Sequence, residues 1–294
     1  MKTNGKNENP TRGLELQGGR CGVLLIHSLG GNPIELRFAA QSLARSGFTV
    51  HSPLLHGLGG GTDLAGLATW RDWYETVEKA YDKLRETCDV VIVGGMSAGA
   101  MLALRLASEK KDGVNALMLF APTLWPNGWS IPWTINLFRL VHTRFVARMF
   151  SFQQRAPYGI KDERIRKFVI DSFKGEGREN ELFDRSGHTV FQFRRLVGDV
   201  KKRLSAISQP TFIVHPRFDD QSDLSNAQQL QRKLGGIVET LVLDDSYHMV
   251  TLDRQRGLAV DRAVEFAERQ VRQLMERNEV KELRRRASHS AAAE

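Results

Sequence analysis

A serine framed by glycines, an acid and a late histidine are the residues of this chain that could do chemistry together. The serine is Ser97, in Gly95-Met96-Ser97-Ala98-Gly99. The apolar run Val90-Val-Ile-Val93 leads into it, and a helical pattern starts at Ala98. This is G-x-S-x-G in a context of strand, sharp turn and helix. A hydroxyl on such a turn projects above the sheet. The positions two residues either side must be tiny, or their side chains would collide with the neighbouring strand and helix. A serine hydroxyl is a weak nucleophile, so it needs a base, and the base needs an orienting group. Among eight histidines, His248 lies just past the last apolar run and before the last helical pattern. Parallel strands end along one edge, so His248 is expected on the same edge as Ser97. The acid is sought after the preceding strand, in His215-Pro-Arg-Phe-Asp219-Asp220-Gln-Ser-Asp223. Asp219 is the candidate, whereas Asp220 and Asp223 read as turn or helix-cap residues.

An oxyanion formed at Ser97 also needs N–H donors. One is expected from Ala98, the residue after the nucleophile. The other is expected from Leu29, in His27-Ser28-Leu29-Gly30-Gly31-Asn32-Pro33, where glycines let the backbone approach a substrate oxygen. Ser28 and Met96 flank these donors and are candidate substrate contacts. The competing reading of both segments is a plain strand-to-helix turn.

The elements that must hold these residues alternate. Strands are expected over 21–26, 48–53, 90–93, 114–120, 211–214 and 237–243. Helices are expected over 32–46, 70–86, 98–108, 225–234 and about 254–275. On the first helix Ile34, Phe38, Leu43 and Ala44 share a side. The second carries Trp73, Val77, Tyr81 and Leu84, and Trp70-Arg-Asp-Trp73 reads as packing. Strands that are apolar throughout and separated by helices imply an α/β fold, a mainly parallel sheet covered on both faces. A glycine-rich loop spans 55–66.

The alternation breaks between 123 and 208, where no strand is evident. This 86-residue stretch is expected to be a helical cap inserted into a core made of 14–122 and 209–275. Residues 1–13 and 276–294 are expected to be flexible ends, and the Arg284-Arg-Arg-Ala-Ser288 string a solvated one. Phe138, Val141, Phe145 and Met149 fall on one helical face, and Trp125, Trp129 and Phe138 are candidate linings of an apolar substrate pocket.

Composition bounds the class. The chain has 294 residues, 41% hydrophobic and 26% charged, as a folded globular protein does. Two cysteines, Cys21 and Cys88, exclude a disulfide framework and a cysteine-based zinc site. No run approaches the roughly 18 apolar residues of a membrane span, and no apolar signal stretch opens the chain, so a cytoplasmic protein is expected. The formal charge of +8 first suggests nucleic acid. Yet residues 123–208 hold 16 Lys+Arg and 8 Asp+Glu, and the remainder is balanced. No recognised nucleic-acid module is visible, so no nucleic-acid partner is expected. A basic cap suits an anionic or lipid-like substrate, or brief contact with an anionic membrane surface. With no HExxH and no phosphate-binding glycine loop, no metal or cofactor is expected.

Four segments resemble the bacterial carboxylesterase and monoacylglycerol-lipase group of α/β-hydrolases. They are Val23-Leu-Leu-Ile-His-Ser-Leu-Gly-Gly-Asn-Pro33, Gly95-Met-Ser-Ala-Gly99, Arg217-Phe-Asp-Asp220 and Ser246-Tyr-His-Met-Val-Thr-Leu-Asp253. The order Ser, Asp, His agrees with that fold. The resemblance implies an α/β-hydrolase fold with a cap, Ser97 as nucleophile, His248 as base, Asp219 as its acid, and Leu29 and Ala98 as oxyanion donors. The family usually has glycine where this chain has Ser28. The implied function is cleavage of carboxylic esters through an acyl-enzyme, on a small or lipid-like acyl ester. Thioester or amide hydrolysis and acyl transfer use the same triad, and a non-catalytic binding protein could use the same scaffold.

Overall fold

The computed structural model describes residues 13–57, 68–153, 155–175 and 184–291. The leader 1–12 and most of the glycine-rich loop lie outside these residues. Seven strands form one sheet: β1 (Leu14–Leu16), β2 (Cys21–Ile26), β3 (Thr49–Ser52), β4 (Val90–Met96), β5 (Ala116–Phe120), β8 (Thr211–Pro216) and β9 (Val238–Leu243). Their spatial order is β1-β3-β2-β4-β5-β8-β9, and every neighbouring pair is parallel except β1 with β3. The mainly parallel sheet flanked by helices is the architecture expected of the alternating pattern.

Alternation along β4 shows how the two layers form. Val91 and Val93 pack with α2 (Trp70–Arg85), α3 (Ala98–Lys110), α6 (Gly187–Lys201) and α7 (Ser225–Lys233) on one face. Ile92 and Met96 pack with α1 (Arg37–Arg45) and α8 (Arg256–Ala291) on the other. A strand buried on both faces needs apolar residues at every position, which β4 has. Trp70, Trp73, Val77, Tyr81 and Leu84 are all buried, as the amphipathic reading of α2 requires.

Several elements depart from expectation. Three-residue β1 was not evident in the sequence. On α1 the buried side is Leu36, Ala39, Ala40 and Leu43; Ile34 is 48% exposed and Phe38 half-buried. Helix α8 continues to Ala291 where a frayed end is expected from residue 276. No glycine or proline follows Gly257, so nothing in the backbone stops that helix.

The stretch 123–208 is less helical than its composition suggests. It holds a 3-10 segment at Trp133–Leu140, short α4 (Arg144–Ala147), α5 (Glu163–Gly175), α6 and a two-stranded antiparallel sheet of β6 (Ser151–Gln153) and β7 (Asp184–Ser186). Phe138, Val141, Phe145 and Met149 therefore share no helical face. Phe138 and Val141 are buried, while Phe145 and Met149 are 78% and 76% exposed. The break falls at His142-Thr143, where the Thr143 hydroxyl accepts from Val146 N (3.4 Å) and restarts the helix.

Candidate active site

Ser97 sits on the one-residue turn between β4 and α3 with φ 54° and ψ −112°. Such a left-handed conformation is strained for a residue with a side chain, and the packing around it holds it there. A Cβ at Gly95 would lie 2.3 Å from the Gly99 carbonyl carbon, and one at Gly99 would lie 2.2 Å from the Ile26 carbonyl oxygen. Backbone cannot yield to either, so both positions must be glycine. Ala98 opens α3, and its N–H is among those a helix leaves without an intrahelical acceptor.

His248 and Asp219 come together from two loops at the ends of β9 and β8. Nδ1 of His248 lies 2.8 Å from Asp219 Oδ2 and 3.1 Å from Oδ1, with both residues buried. Asp219 also accepts from Gln221 N (2.8 Å) and Ser222 N (2.9 Å). Burial alone would raise its pKa, but the charge and hydrogen bond of His248, with His215 behind, hold it below the ordinary carboxylate value. For His248, burial opposes protonation, yet the charge and hydrogen bond of Asp219 outweigh it and raise the pKa. Ser97 Oγ is 3.2 Å from Thr123 Oγ1, and Thr123 donates to Ser222 Oγ (3.1 Å). A chain of hydroxyls thus leads from Ser97 toward Asp219 behind the histidine. Thr123 carried no signal in the sequence beyond its place at a strand end.

The loop after β2 is held by two buried groups. Leu55 N–H donates to His27 Nε2 (3.0 Å), so the His27 proton is on Nδ1, which donates to Ser28 O (2.7 Å). Burial pushes His27 down to about 4, so it stays neutral. Glu35 accepts from Ser28 N (2.5 Å) and Ser28 Oγ (3.0 Å). A Cβ at Gly31 would lie 1.7 Å from Glu35 Oε2, so a side chain there would displace this carboxylate from Ser28. Ser28, in place of the usual glycine, therefore bonds to Glu35. Glu35 escaped the sequence reading because a charge beside a helix start ordinarily faces water.

Two further buried carboxylates bind the histidine loop to the segment 159–162. Asp220 accepts from Gly159 N (2.8 Å) and His248 N (3.3 Å), and burial together with the charge of Asp219 pushes its pKa up to about 6. Asp253 accepts from Lys161 N, Asp162 N and Tyr247 N at 2.7–2.9 Å. Asp223 caps its turn by accepting from Ser225 N (3.0 Å).

Ser97, Ala98, Leu29, Ser28 and His248 line a single cavity of about 1530 Å³, together with Phe138. Three other candidates do not line it. Trp125 is buried, its Nε1 donating to Asn136 and its ring covered by Arg139. Trp129 donates to Phe218 O and lies edge-on to Tyr247, on the exterior. Met96 is wholly buried beneath the turn, because an even step along β4 carries it to the α1/α8 layer. The apolar walls come instead from residues such as Ile135, Phe152, Ile165 and Phe193. Among the described residues no group of His, Cys, Asp and Glu is placed to hold a metal ion, and no helix is long and apolar enough to cross a membrane.

Comparison with known proteins follows the same outline. The chain is 25% identical over 258 residues to a thermostable monoacylglycerol lipase of Bacillus sp. (strain H-257), covering 85% of this chain and 91% of that protein. It is 23% identical over 256 residues to a carboxylesterase of Bacillus subtilis (strain 168), covering 86% and 94%. A structure of the metagenome-derived lipolytic enzymes LipS and LipT aligns with TM-score 0.71 and 24% identity over 88% of this chain and 98% of that one. A soluble variant of monoglyceride lipase from Saccharomyces cerevisiae, bound to a substrate analog, aligns with TM-score 0.69 and 16% identity, covering 88% and 90%. These last two likenesses concern the fold, which is that of the α/β-hydrolases. The profile of the hydrolase family described as serine aminopeptidase, S33, matches residues 20–255, and the chain belongs to that family.

Proposed function

We propose that this protein is a serine esterase of the carboxylesterase or monoacylglycerol-lipase type, acting on esters with an apolar acyl chain. The observation that carries this is the buried His248–Asp219 pair facing the same apolar cavity as Ser97 on its strained turn. In the reacting complex the Ser97 hydroxyl turns from Thr123 toward His248 Nε2, a contact that commonly tightens only with substrate bound. Its proton passes to His248 as Oγ bonds to the acyl carbon. Asp219 stabilises the imidazolium, and Leu29 N–H and Ala98 N–H receive the oxyanion. His248 returns the proton to the alcohol as the C–O bond breaks. Water, deprotonated by His248, then cleaves the acyl-enzyme and frees the acid and Ser97.

The relatives named for ester substrates favour this reading. The family description, serine aminopeptidase, favours a second: hydrolysis of an amide by the same groups. Matched ester, thioester and amide substrates separate the two by their relative kcat/KM. A fluorophosphonate is expected to label the wild type at Ser97, and Ser97→Ala to lose labelling and turnover while remaining folded. Across p-nitrophenyl esters from acetate to decanoate, kcat/KM is expected to rise as the acyl chain fills the cavity. Turnover by the alanine variant would remove the assignment, and a flat series would remove the apolar acyl site.

A further inference from the structure

The cavity over Ser97 is apolar in most of its wall, but its ionisable lining is one-sided. Among the described residues it contains four arginines, the carboxylate of Glu35, and His248. Arg155 and Arg166 come from the inserted stretch, Arg37 and Arg256 from α1 and α8, so the cations reach one space from separate parts of the chain. The single carboxylate is occupied by the Ser28 backbone and hydroxyl.

Several arginines outside the cavity are tightly paired: Arg20 with Asp89, Arg105 with Glu109, Arg217 with Asp244 and Arg269 with Glu239, at 2.5–2.6 Å. Those of the cavity are not treated alike. Arg155 and Arg256 have no ion pair among the described residues. Arg256 is instead steadied by neutral contacts, its guanidinium 5.8 Å from the Phe38 ring centre and donating to Leu252 O (3.2 Å). Arg166 donates to Ile160 O (3.1 Å), and its carboxylate contact is Glu163 at 3.8 Å, a side chain 85% exposed. Guanidinium groups positioned by carbonyls and a ring keep their charge available to a ligand, and their geometry suits carboxylate and phosphate oxygens.

We infer that the preferred ester carries an anionic group, a carboxylate or a phosphate, separated from the scissile carbonyl by an apolar spacer. The inference rests on the esterase reading and adds the substrate's charge to it. The spacer lies along the apolar wall while the anion reaches the arginines. Attraction of this kind raises encounter and binding together and weakens with salt.

The test uses soluble substrates in matched pairs. On the acyl side, p-nitrophenyl hydrogen suberate is compared with its methyl ester. On the alcohol side, hexanoylglycerol phosphate is compared with hexanoylglycerol. At low ionic strength the anionic member of one pair is expected to exceed its neutral partner by about fivefold or more in kcat/KM, from two or more partly exposed cation–anion contacts. A preference in the first pair identifies a carboxylate on the acid, and in the second a phosphate on the alcohol. The ratio is expected to fall toward one at high salt and in the double variant Arg155→Gln, Arg256→Gln. A neutral preference in both pairs overturns the inference, as does a ratio that neither salt nor the double variant moves. Neutral esters left untouched, with Ser97 unlabelled, would instead remove the esterase reading and the substrate class with it.

Discussion

Asp219 shows how a single residue sets the working range of the site. It is withdrawn from water yet ionised, because two backbone N–H groups and His248 surround it. Its charge is what lifts His248 above the ordinary imidazole value of 6.5 against the effect of burial. In the proposed mechanism only neutral His248 can take the Ser97 proton, so kcat/KM should climb with pH through an apparent pKa above the ordinary imidazole value. Asp219→Asn removes the opposing charge and leaves burial to dominate. Its acid limb should therefore move to lower pH than the wild type's, while kcat falls by about 10⁴ from loss of the oriented tautomer. A pH–rate profile of both proteins checks this; an unmoved limb would mean that the observed titration belongs to another group. Asp220, pushed to about 6 beside the same histidine, adds negative charge to it as pH rises through that value. The proposed nucleophile, acid and base could be picked out as candidates because each follows a recognisable strand. Glu35 and Thr123 were not, since a buried carboxylate and a bridging hydroxyl acquire their partners only when distant loops meet.

At the scale of elements, the turn between β4 and α3 couples catalysis to packing. Glycine at 99 lets α3 approach β2 so closely that a methyl group would lie 2.2 Å from the Ile26 carbonyl oxygen. Gly99→Ala must therefore displace the helix that begins with Ala98, or tilt the strand that leads to Leu29. Overpacking of this kind costs about 1–3 kcal/mol. The expected result is a lower denaturation midpoint together with loss of fluorophosphonate labelling. Unaltered labelling at reduced stability would show that the turn tolerates movement of α3. The core elements could be read from sequence because burial on two faces demands uninterrupted apolar strands, and one-sided helices demand a 3.6-residue period. Residues 133–149 follow neither rule. Their aromatic residues are divided between the cavity and the surface by short turns, so spacing alone does not show that Phe138 lines the cavity while Trp125 and Trp129, just before them, do not. The antiparallel edge strand β1 has three residues and no periodicity to display.

Across the whole molecule, charge and exposed apolar surface concentrate in the same segment. Residues 123–208 account for the chain's entire net charge of +8. They also supply nine of the fifteen large hydrophobic residues that are exposed among those described, including Trp133, Leu140, Phe145 and Met149. Exposed apolar side chains among cations suit a surface that is apolar beneath an anionic layer, and each nearby Lys or Arg adds about 1 kcal/mol at such a surface. The Ser97→Ala protein, which would leave lipid esters intact, should co-sediment with phosphatidylglycerol vesicles at low ionic strength. It should be released at high ionic strength and bind phosphatidylcholine vesicles weakly. Reversing two exposed charges of this segment, Arg144→Glu with Arg148→Glu, should lower the bound fraction by about tenfold or more. Equal binding to both lipids would assign the contact to the apolar residues alone, and no binding to either would remove the membrane contact. Soluble ester pairs present no interface, so a salt effect on their hydrolysis must arise at the cavity arginines. A salt effect confined to vesicles must arise on the outer surface of residues 123–208. The two measurements together separate the role of the cavity arginines from that of the outer surface of residues 123–208.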